Sequence, residues 1–365
     1  MPRISPAHFV LQRRIRSLFN RAALVVILGA ALLALTERSQ AGPPSKPVEI
    51  YFVDVEGGQA TLFVTPKGQS LLIDTGWPGN AGRDADRIVT AAKKAGLSKI
   101  DFVLLTHYHT DHTGGVPQLL AKIPVGAFID HGPNREPGNA ETEQAWEGYQ
   151  KAVSENSIKR IIAKPGDLLP VKGIRAEVVS ADGALIEKPL PSGGAQNPAC
   201  ATTEKRAPDQ TENARSLGTI VTFGTIRILD LGDLTWDKEL ELVCPVNKLG
   251  PIDIFVVSHH GWLQSNSPAL LAAISPRIAI MDNGADKGGS PSSWDIIKNS
   301  PELEDLWQLH FSNEGGDAHN SKEFFIANLR GADAGNYLKL SVWEDGNFEI
   351  YNSRTQDVKH YPPAH

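Results

Sequence analysis

The chain has 365 residues, 41% of them hydrophobic and 21% charged, the composition of an ordinary globular protein long enough for one large domain or two with ample core. Its 33 glycines and 25 prolines suit a fold with many loops. The formal charge is −6; setting aside residues 1–41 leaves 30 Lys+Arg against 41 Asp+Glu, a formal −11, which excludes a long diffuse nucleic-acid surface though not a small phosphoester.

At the N-terminus, Arg13, Arg14, Arg16 and Arg21 precede a fourteen-residue apolar run, Ala22 to Leu35, followed by Ser39-Gln40-Ala41. A charged segment, a short apolar core and a small-x-small site predict a cleaved signal peptide over 1–41, hence an exported, periplasmic or extracellular protein. The run falls short of the about 20 residues of a membrane span, so no stable span is expected after cleavage. An uncleaved anchor stays open, and Arg13-Arg14 leaves twin-arginine export open. The two cysteines, Cys200 and Cys244, suggest one disulfide in such a compartment, with two free thiols as the alternative.

After a Pro-rich linker (42–47), one domain is expected over 48–360. It opens with strands at Val48–Val55, Ala60–Thr65 and Ser70–Ile73, the last stopping at Asp74-Thr75-Gly76. Apolar residues at helical spacing predict a helix over Arg83–Ala95, with Gly96 as its stop. Ile100–Leu105 reads as a buried strand, Pro117 opens a short helix, and Val125–Ile129 is a strand ending at His131. A polar helix (Asn139–Asn156) and strands at Lys159–Ala163 and Ile174–Ser180 follow. Residues 181–214 show no periodicity, and a loop that long in a compact domain carries function or is poorly ordered.

Regularity returns with a hairpin, Leu217–Phe223 and Ile226–Leu231, which ends at Gly232-Asp233. Trp236–Val243 reads as a helix, and Ile252–Val257 as a strand that runs into Ser258-His259-His260-Gly261. Ser267 caps a helix that starts with Pro268, and Arg277–Met281 is a strand ending in Asp282-Asn283-Gly284. Helices are predicted near Ser292–Lys298 and Ser321–Leu329, then a closing hairpin, Tyr337–Trp343 and Phe348–Tyr351, around Asp345-Gly346. Strands come first as hairpins and then alternate with helices in both halves, which suggests two sheets covered by helices.

The chemistry concentrates in Thr106-His107-Tyr108-His109-Thr110-Asp111-His112, three imidazoles and a carboxylate directly after a buried strand. Imidazole and carboxylate are the donors that zinc and related divalent metals take. Further candidate groups also stand where apolar strands stop: Asp74, His131, Asp233 and the pair His259-His260. Strand ends are where a rigid scaffold presents catalytic loops. Taken singly, Asp74 shapes a turn and Asp233 caps a helix; their common placement favours a metal site. Trp236, Trp262, Trp294 and Trp307 read as core or cavity wall rather than as a stacking platform.

On these residues the chain resembles a metallo-β-lactamase-fold hydrolase, and within that superfamily it is similar to the ComEC-type competence-protein domains. The superfamily pattern His-x-His-x-Asp-His is filled by His107, His109, Asp111 and His112. Asp74-Thr75-Gly76, Gly232-Asp233 and Ser258-His259 match further landmarks in order. The ComEC-like character rests on Asp54-Val55-Glu56-Gly57-Gly58-Gln59-Ala60, on Asn213 and Ser216, and on His259-His260-Gly261 with Ser265. The resemblance covers about residues 48–291 and implies an α/β fold, the αβ/βα four-layer sandwich of two mixed sheets flanked by helices, with a metal cleft at one edge.

It further implies that His107 and His109 hold one divalent ion, zinc or manganese. Asp111, His112 and either His259 (preferred) or His260 hold a second, with Asp233 bridging and Asp74 orienting a ligand histidine. Two positions depart from the pattern. No histidine occurs between 132 and 232, where many relatives supply one; Asn213 stands in that place, as in ComEC-like sequences, and His131 is a possible substitute. Gly289-Ser290-Pro291 replaces a Gly-His-Pro. The implied chemistry is hydrolysis of a phosphodiester or related ester by metal-activated water, with Asp111 also a proton acceptor and His131, Asn283 and Lys287 as candidate contacts to a small or short anionic substrate. A β-lactam or lactone hydrolase is the alternative, and a non-catalytic exported metal-binding scaffold the alternative of another class. The oligomeric state is left open.

Overall fold

The computed structural model describes residues 46–331 and 333–364; the predicted signal peptide lies outside the described residues. Two runs of strands set the architecture. The first comprises Val48–Phe52 (β1), Thr61–Val64 (β2), Ser70–Ile73 (β3), Ile100–Leu104 (β4), Val125–Asp130 (β5) and Lys159–Ile162 (β6). The second comprises Arg175–Ala181 (β7), Ala184–Leu185 (β8), Gly218–Phe223 (β9), Ile226–Asp230 (β10), Ile254–Val256 (β11), Ile278–Met281 (β12), Asp305–His310 (β13) and Ile326–Asn328 (β14). Leu338–Val342 (β15), Phe348–Asn352 (β16) and Val358–Tyr361 (β17) return to the first sheet, whose order is β17-β16-β15-β1-β2-β3-β4-β5-β6. The second sheet runs β14-β13-β12-β11-β10-β9-β7-β8.

Both sheets are mixed. β3 to β6 are parallel neighbours in one, β10 to β14 in the other, and the remaining pairs are antiparallel. Parallel strands require crossovers, here supplied by Arg83–Lys94 (α1), Thr110–Thr113 (α2), Val116–Leu120 (α3), Ala140–Glu155 (α4), Trp236–Val243 (α5), Pro268–Ile274 (α6) and Pro291–Lys298 (α7).

Three apolar clusters define the layers. Ile50, Phe63, Leu71 and Leu104 of the first sheet meet Val178, Val221, Ile228, Ile254, Ile280 and Trp307 of the second in a common core. The other face of the first sheet packs Leu62, Leu72 and Val103 on Ile88 and Ala92 of α1, Leu119 of α3 and Tyr149 of α4. The second sheet packs Leu229, Phe255 and Ala279 on Leu242 of α5, Leu271 of α6 and Ile297 of α7. A strand covered on both faces must be apolar on both, and β2, β3, β11 and β12 are buried throughout. The result is the expected αβ/βα sandwich of two mixed sheets.

The structure departs from the sequence reading in three places. The helix predicted over Ser321–Leu329 is a 3-10 turn, Glu323–Phe325, leading into β14. The fully buried β13 and the edge strand β17 went unpredicted. The 181–214 segment, expected to carry function or to be poorly ordered, holds β8 and the turns Pro198–Ala201 and Glu212–Arg215; the suggested disulfide, by contrast, is formed, Cys200 to Cys244 with Cα atoms 5.8 Å apart. Among the described residues no helix is long and apolar enough to cross a membrane.

Candidate metal centre

The site lies beyond the carboxyl ends of the parallel strands, where open α/β sheets leave their loops free. β3 delivers Asp74, β4 delivers His107 and the turn to α2, β10 delivers Asp233, and β11 delivers His259 and His260. Backbone bonds lock these loops together: Thr75 N donates to His112 O at 2.7 Å, Leu217 N to Thr106 O at 2.8 Å, and His259 N to Gly232 O at 3.0 Å. Close approach needs glycine at two points. A Cβ on Gly58 would stand 2.3 Å from the Asp111 carbonyl oxygen, and one on Gly232, whose φ is +55°, would meet the Thr106 side chain at 2.7 Å.

Each of four histidines has Nδ1 faced by an outer group, which leaves Nε2 to point inward. Thr106 Oγ1 lies 3.0 Å from His107 Nδ1, Asp74 Oδ2 2.7 Å from His112 Nδ1, Ser265 Oγ 3.4 Å from His259 Nδ1, and Asp282 Oδ1 3.4 Å from His260 Nδ1. Asp74 accepts from Thr106 N and Oγ1 as well, so its carboxylate orients both the loop and His112. His109 is built the other way round. Glu136 Oε2 takes its Nε2 at 2.9 Å, leaving Nδ1 free of that contact.

The inward atoms converge on two carboxylates. His112 Nε2 is 3.3 Å from both Asp111 Oδ2 and Asp233 Oδ2; His260 Nε2 is 3.2 Å from Asp111 Oδ2, 3.5 Å from Asp233 Oδ1 and 3.1 Å from His112 Nε2. Asp111, His112, Asp233 and His260 thus each offer a donor atom, all within 4.8 Å of one another. On the other side of Asp233, Oδ2 faces His259 Nε2 at 3.4 Å and His107 Nε2 at 3.8 Å. Asp233 therefore stands between two donor groups. Both histidines of the pair face it because His259 and His260 adopt left-handed backbone, φ +54° and +53°, a costly conformation for non-glycine residues that clusters at functional sites. The sequence preferred His259 for the Asp111–His112 group, with His260 second; in the structure His260 Nε2 faces that group, and the turn swings His259 to the His107 side of Asp233.

The buried charges compensate one another. Burial pushes His112 down, but Asp233, Asp111 and Asp74 outweigh it and hold the imidazole well above its ordinary value. His260 is likewise buried yet lifted to about 9, chiefly by Asp233, whereas burial brings His259 down to about 4 and holds His107 well below the usual range. Burial alone would raise Asp111 and Asp233; Lys287 and His112 for the one, His112, His259 and His260 for the other, bring both well below the carboxylate range. The cluster holds two ionised carboxylates with imidazoles aimed at them, and a divalent cation that displaces the imidazole protons would find the nitrogen and oxygen donors it takes. Buried atoms left without a partner, His107 Nε2, Asp233 Oδ1 and Asn213 Oδ1, fit the same reading, since such atoms are otherwise costly.

A cavity of about 280 Å³ opens over this cluster, lined by Trp77, His109, Asp111, Asn213, Asp233, His259, Trp262 and Lys287 among others. Asn213 does reach the cleft. Lys287 Nζ bonds Asp111 Oδ2 and stands 4.9 Å from the Trp77 ring centroid. Two expected contacts do not reach it. His131 is buried, packed 4.5 Å from the Tyr108 ring and bonded at 3.0 Å to Glu212 Oε2, outside the cavity lining. Asn283 is buried with Nδ2 given to the carbonyls of Gly284 and His310, so it braces backbone. Ser290 stands at the N-cap position of α7 with its side chain turned to Glu314, and it does not line the cavity.

Sequence reasoning missed Glu136, Glu212 and Asp282. Glu212 is fully buried and accepts from Arg135 N, Tyr108 N and His131, while its own N donates to Glu136 Oε2 at 3.1 Å. These two carboxylates tie the turn carrying Asn213 to His109. Asp282 follows a strand end and was open to the same rule that found Asp74 and Asp233.

Residues 53–194 match the family model described as the Metallo-beta-lactamase superfamily. The matched segment holds Asp74, His107, His109, Asp111 and His112, and the two mixed sheets flanked by helices are consistent with the fold of that superfamily. Among curated proteins it is 25% identical over 243 residues to "Recombination protein 2" of Haemophilus influenzae, covering 66% of this chain and 25% of that one. It is 26% identical over 231 residues to "Competence protein ComA" of Neisseria gonorrhoeae, covering 63% and 26%. A "UPF0173 metal-dependent hydrolase" of Herpetosiphon aurantiacus shares 36% identity over 76 residues, 20% of this chain and 29% of that one. The chain spans between a quarter and a third of the length of these relatives. Their competence-protein members support the ComEC-like placement within the superfamily.

Proposed function

We propose that the chain is an exported metal-dependent hydrolase of a phosphodiester or related ester with a small or short anionic substrate. The observation that carries this is the convergence of four inward Nε2 atoms on Asp111 and Asp233. His107, His109 through Nδ1, and His259 would hold one divalent ion, and Asp111, His112 and His260 the other, with Asp233 shared between them. Zinc suits this nitrogen-and-oxygen donor set, manganese less well. Such ions polarise the scissile group and lower the pKa of a coordinated water to about 7.

The chain's own residues supply the rest. Asp74 fixes the His112 tautomer, and Glu136 that of His109. Asp111 accepts the proton of the attacking water as the water oxygen bonds to phosphorus and the ester P–O bond breaks, the alkoxide or aryloxide leaving to solvent. Lys287, released from Asp111 at that moment, is placed to face the anionic group. Asn213, a neutral amide, lines the cavity beside His109, Asp233 and His259. Metal-loaded protein offered a chromogenic bis-aryl phosphate and a chromogenic cephalosporin separates the two readings. Turnover of the phosphate ester is expected; turnover of the cephalosporin alone would overturn the preference.

A further inference from the structure

The site is polar at its floor, yet one large apolar side chain at its mouth is left uncovered. Trp262 lines the cavity and is 39% exposed, and the adjoining Leu263 is 45% exposed. The pair forms an exposed apolar rim on a polar cavity, a placement that marks ligand-binding grooves. The ring is not loose. Trp262 N donates to His259 O at 2.7 Å, and its carbonyl accepts from Ser265 N at 3.2 Å. Arg206 Nη1 donates to Leu263 O at 2.6 Å while its guanidinium stacks 3.6 Å from the Trp236 ring centroid, and Trp236 N donates to Gln264 O at 2.9 Å. The loop is thus pinned on both sides of the exposed ring.

The other tryptophans of this region are occupied. Lys287 stands over Trp77 and Arg206 over Trp236, whereas among the described residues no cation stacks on Trp262. One side of Trp262 leans on the His259 ring, centroids 5.8 Å apart at 34°, so whatever covers its remaining face lies directly beside the Asp233–His259 end of the donor cluster. Lys287 and Trp77 mark the Asp111 end. A cavity of about 280 Å³ is at the small end for ligand sites and admits one ring with its anionic centre.

We infer that Trp262 is a specificity-determining platform for a planar aromatic group carried by the anionic substrate, so that the preferred substrates are aryl or nucleobase-bearing esters. The inference takes from the proposed hydrolysis only the position of the anionic centre over the cluster. A rigid ring with two side-chain torsions on a pinned loop loses little conformational entropy on binding, which is why such residues dominate recognition.

The test is binding of two non-hydrolysable anions, phenylphosphonate and methylphosphonate, to the zinc-loaded protein by calorimetry. Wild type is expected to hold phenylphosphonate about 5- to 20-fold more tightly than methylphosphonate. In Trp262→Ala that ratio collapses toward one, and in Trp262→Phe most of it is retained. Equal or undetectable affinity of both anions for wild type overturns the inference, as does a ratio unchanged in Trp262→Ala. Because no turnover is read, a protein that prefers phenylphosphonate yet cleaves no phosphate ester would sink the hydrolase proposal and leave the platform standing.

Discussion

Asp74 is fully buried, among the described residues no arginine or lysine pairs with it, and its two oxygens serve Thr106 and His112. Replacing it with Asn keeps the shape but puts an NH2 group or a weaker acceptor against His112 Nδ1, so the ring is free to present the wrong tautomer. Loss of such an outer partner typically costs 10- to 100-fold in metal affinity. A competition titration of Asp74→Asn against a chelating dye should show that loss, and an affinity within twofold of wild type would mean Asp74 only shapes the turn. At this scale the sequence was partly legible. His107, His109, Asp111 and His112 announce themselves because they are close in sequence and follow a buried strand. Glu136 and Glu212 do not, since they reach the site across 27 and 104 residues of chain, and nothing local distinguishes them from surface acids. The choice between His259 and His260 was illegible for another reason: it turns on two positive φ angles that no side-chain pattern specifies.

Among the elements, the segment between β7 and β9 shows what composition conceals. It lacks periodicity because its order comes from outside: Asn197 Nδ2 donates to the carbonyls of Val243 and Ala269, and Cys200 is joined to Cys244 across a sequence separation of 44. A cross-link closing a loop of that length restricts the unfolded chain by about 4 kcal/mol in the chain-entropy account. The double variant Cys200→Ser/Cys244→Ser should lose stability of that order in urea unfolding, while a loss below 1 kcal/mol would show that packing alone orders the segment. The same bridge places the 3-10 turn Pro198–Ala201 on α5 and α6, the elements behind the Trp262 loop. The mistaken helix at Ser321–Leu329 has a plain cause. A short apolar run such as Phe324-Phe325-Ile326-Ala327 satisfies helix and strand alike, and the partner that decides it, β13, had itself gone unread.

For the whole molecule, the alternation of strands with helices gave the layers, whereas strand order could not be read from it. β15 to β17 return to β1 from the far end of the chain, and this long-range pairing closes the two-sheet core. Trp307 sits at that closure: fully buried on β13, it donates Nε1 to Tyr361 Oη on β17 at 3.0 Å and so joins the two sheets. Trp307→Ala removes a large core ring and one end of the link, with an expected cost of about 3–5 kcal/mol. Denaturant midpoints measure it, and a cost under 1 kcal/mol would mean the sheets are held elsewhere.

All of this converges on the claim that the strand ends of both sheets assemble one divalent-metal site. It is tested most directly by counting bound metal per chain, by mass spectrometry, in protein prepared with zinc and dialysed, alongside Asp111→Ala. The account predicts one to two ions in wild type and fewer in Asp111→Ala with the fold intact by circular dichroism. Wild-type protein that retains no divalent ion, or an Asp111→Ala variant that binds as many as wild type, would contradict it.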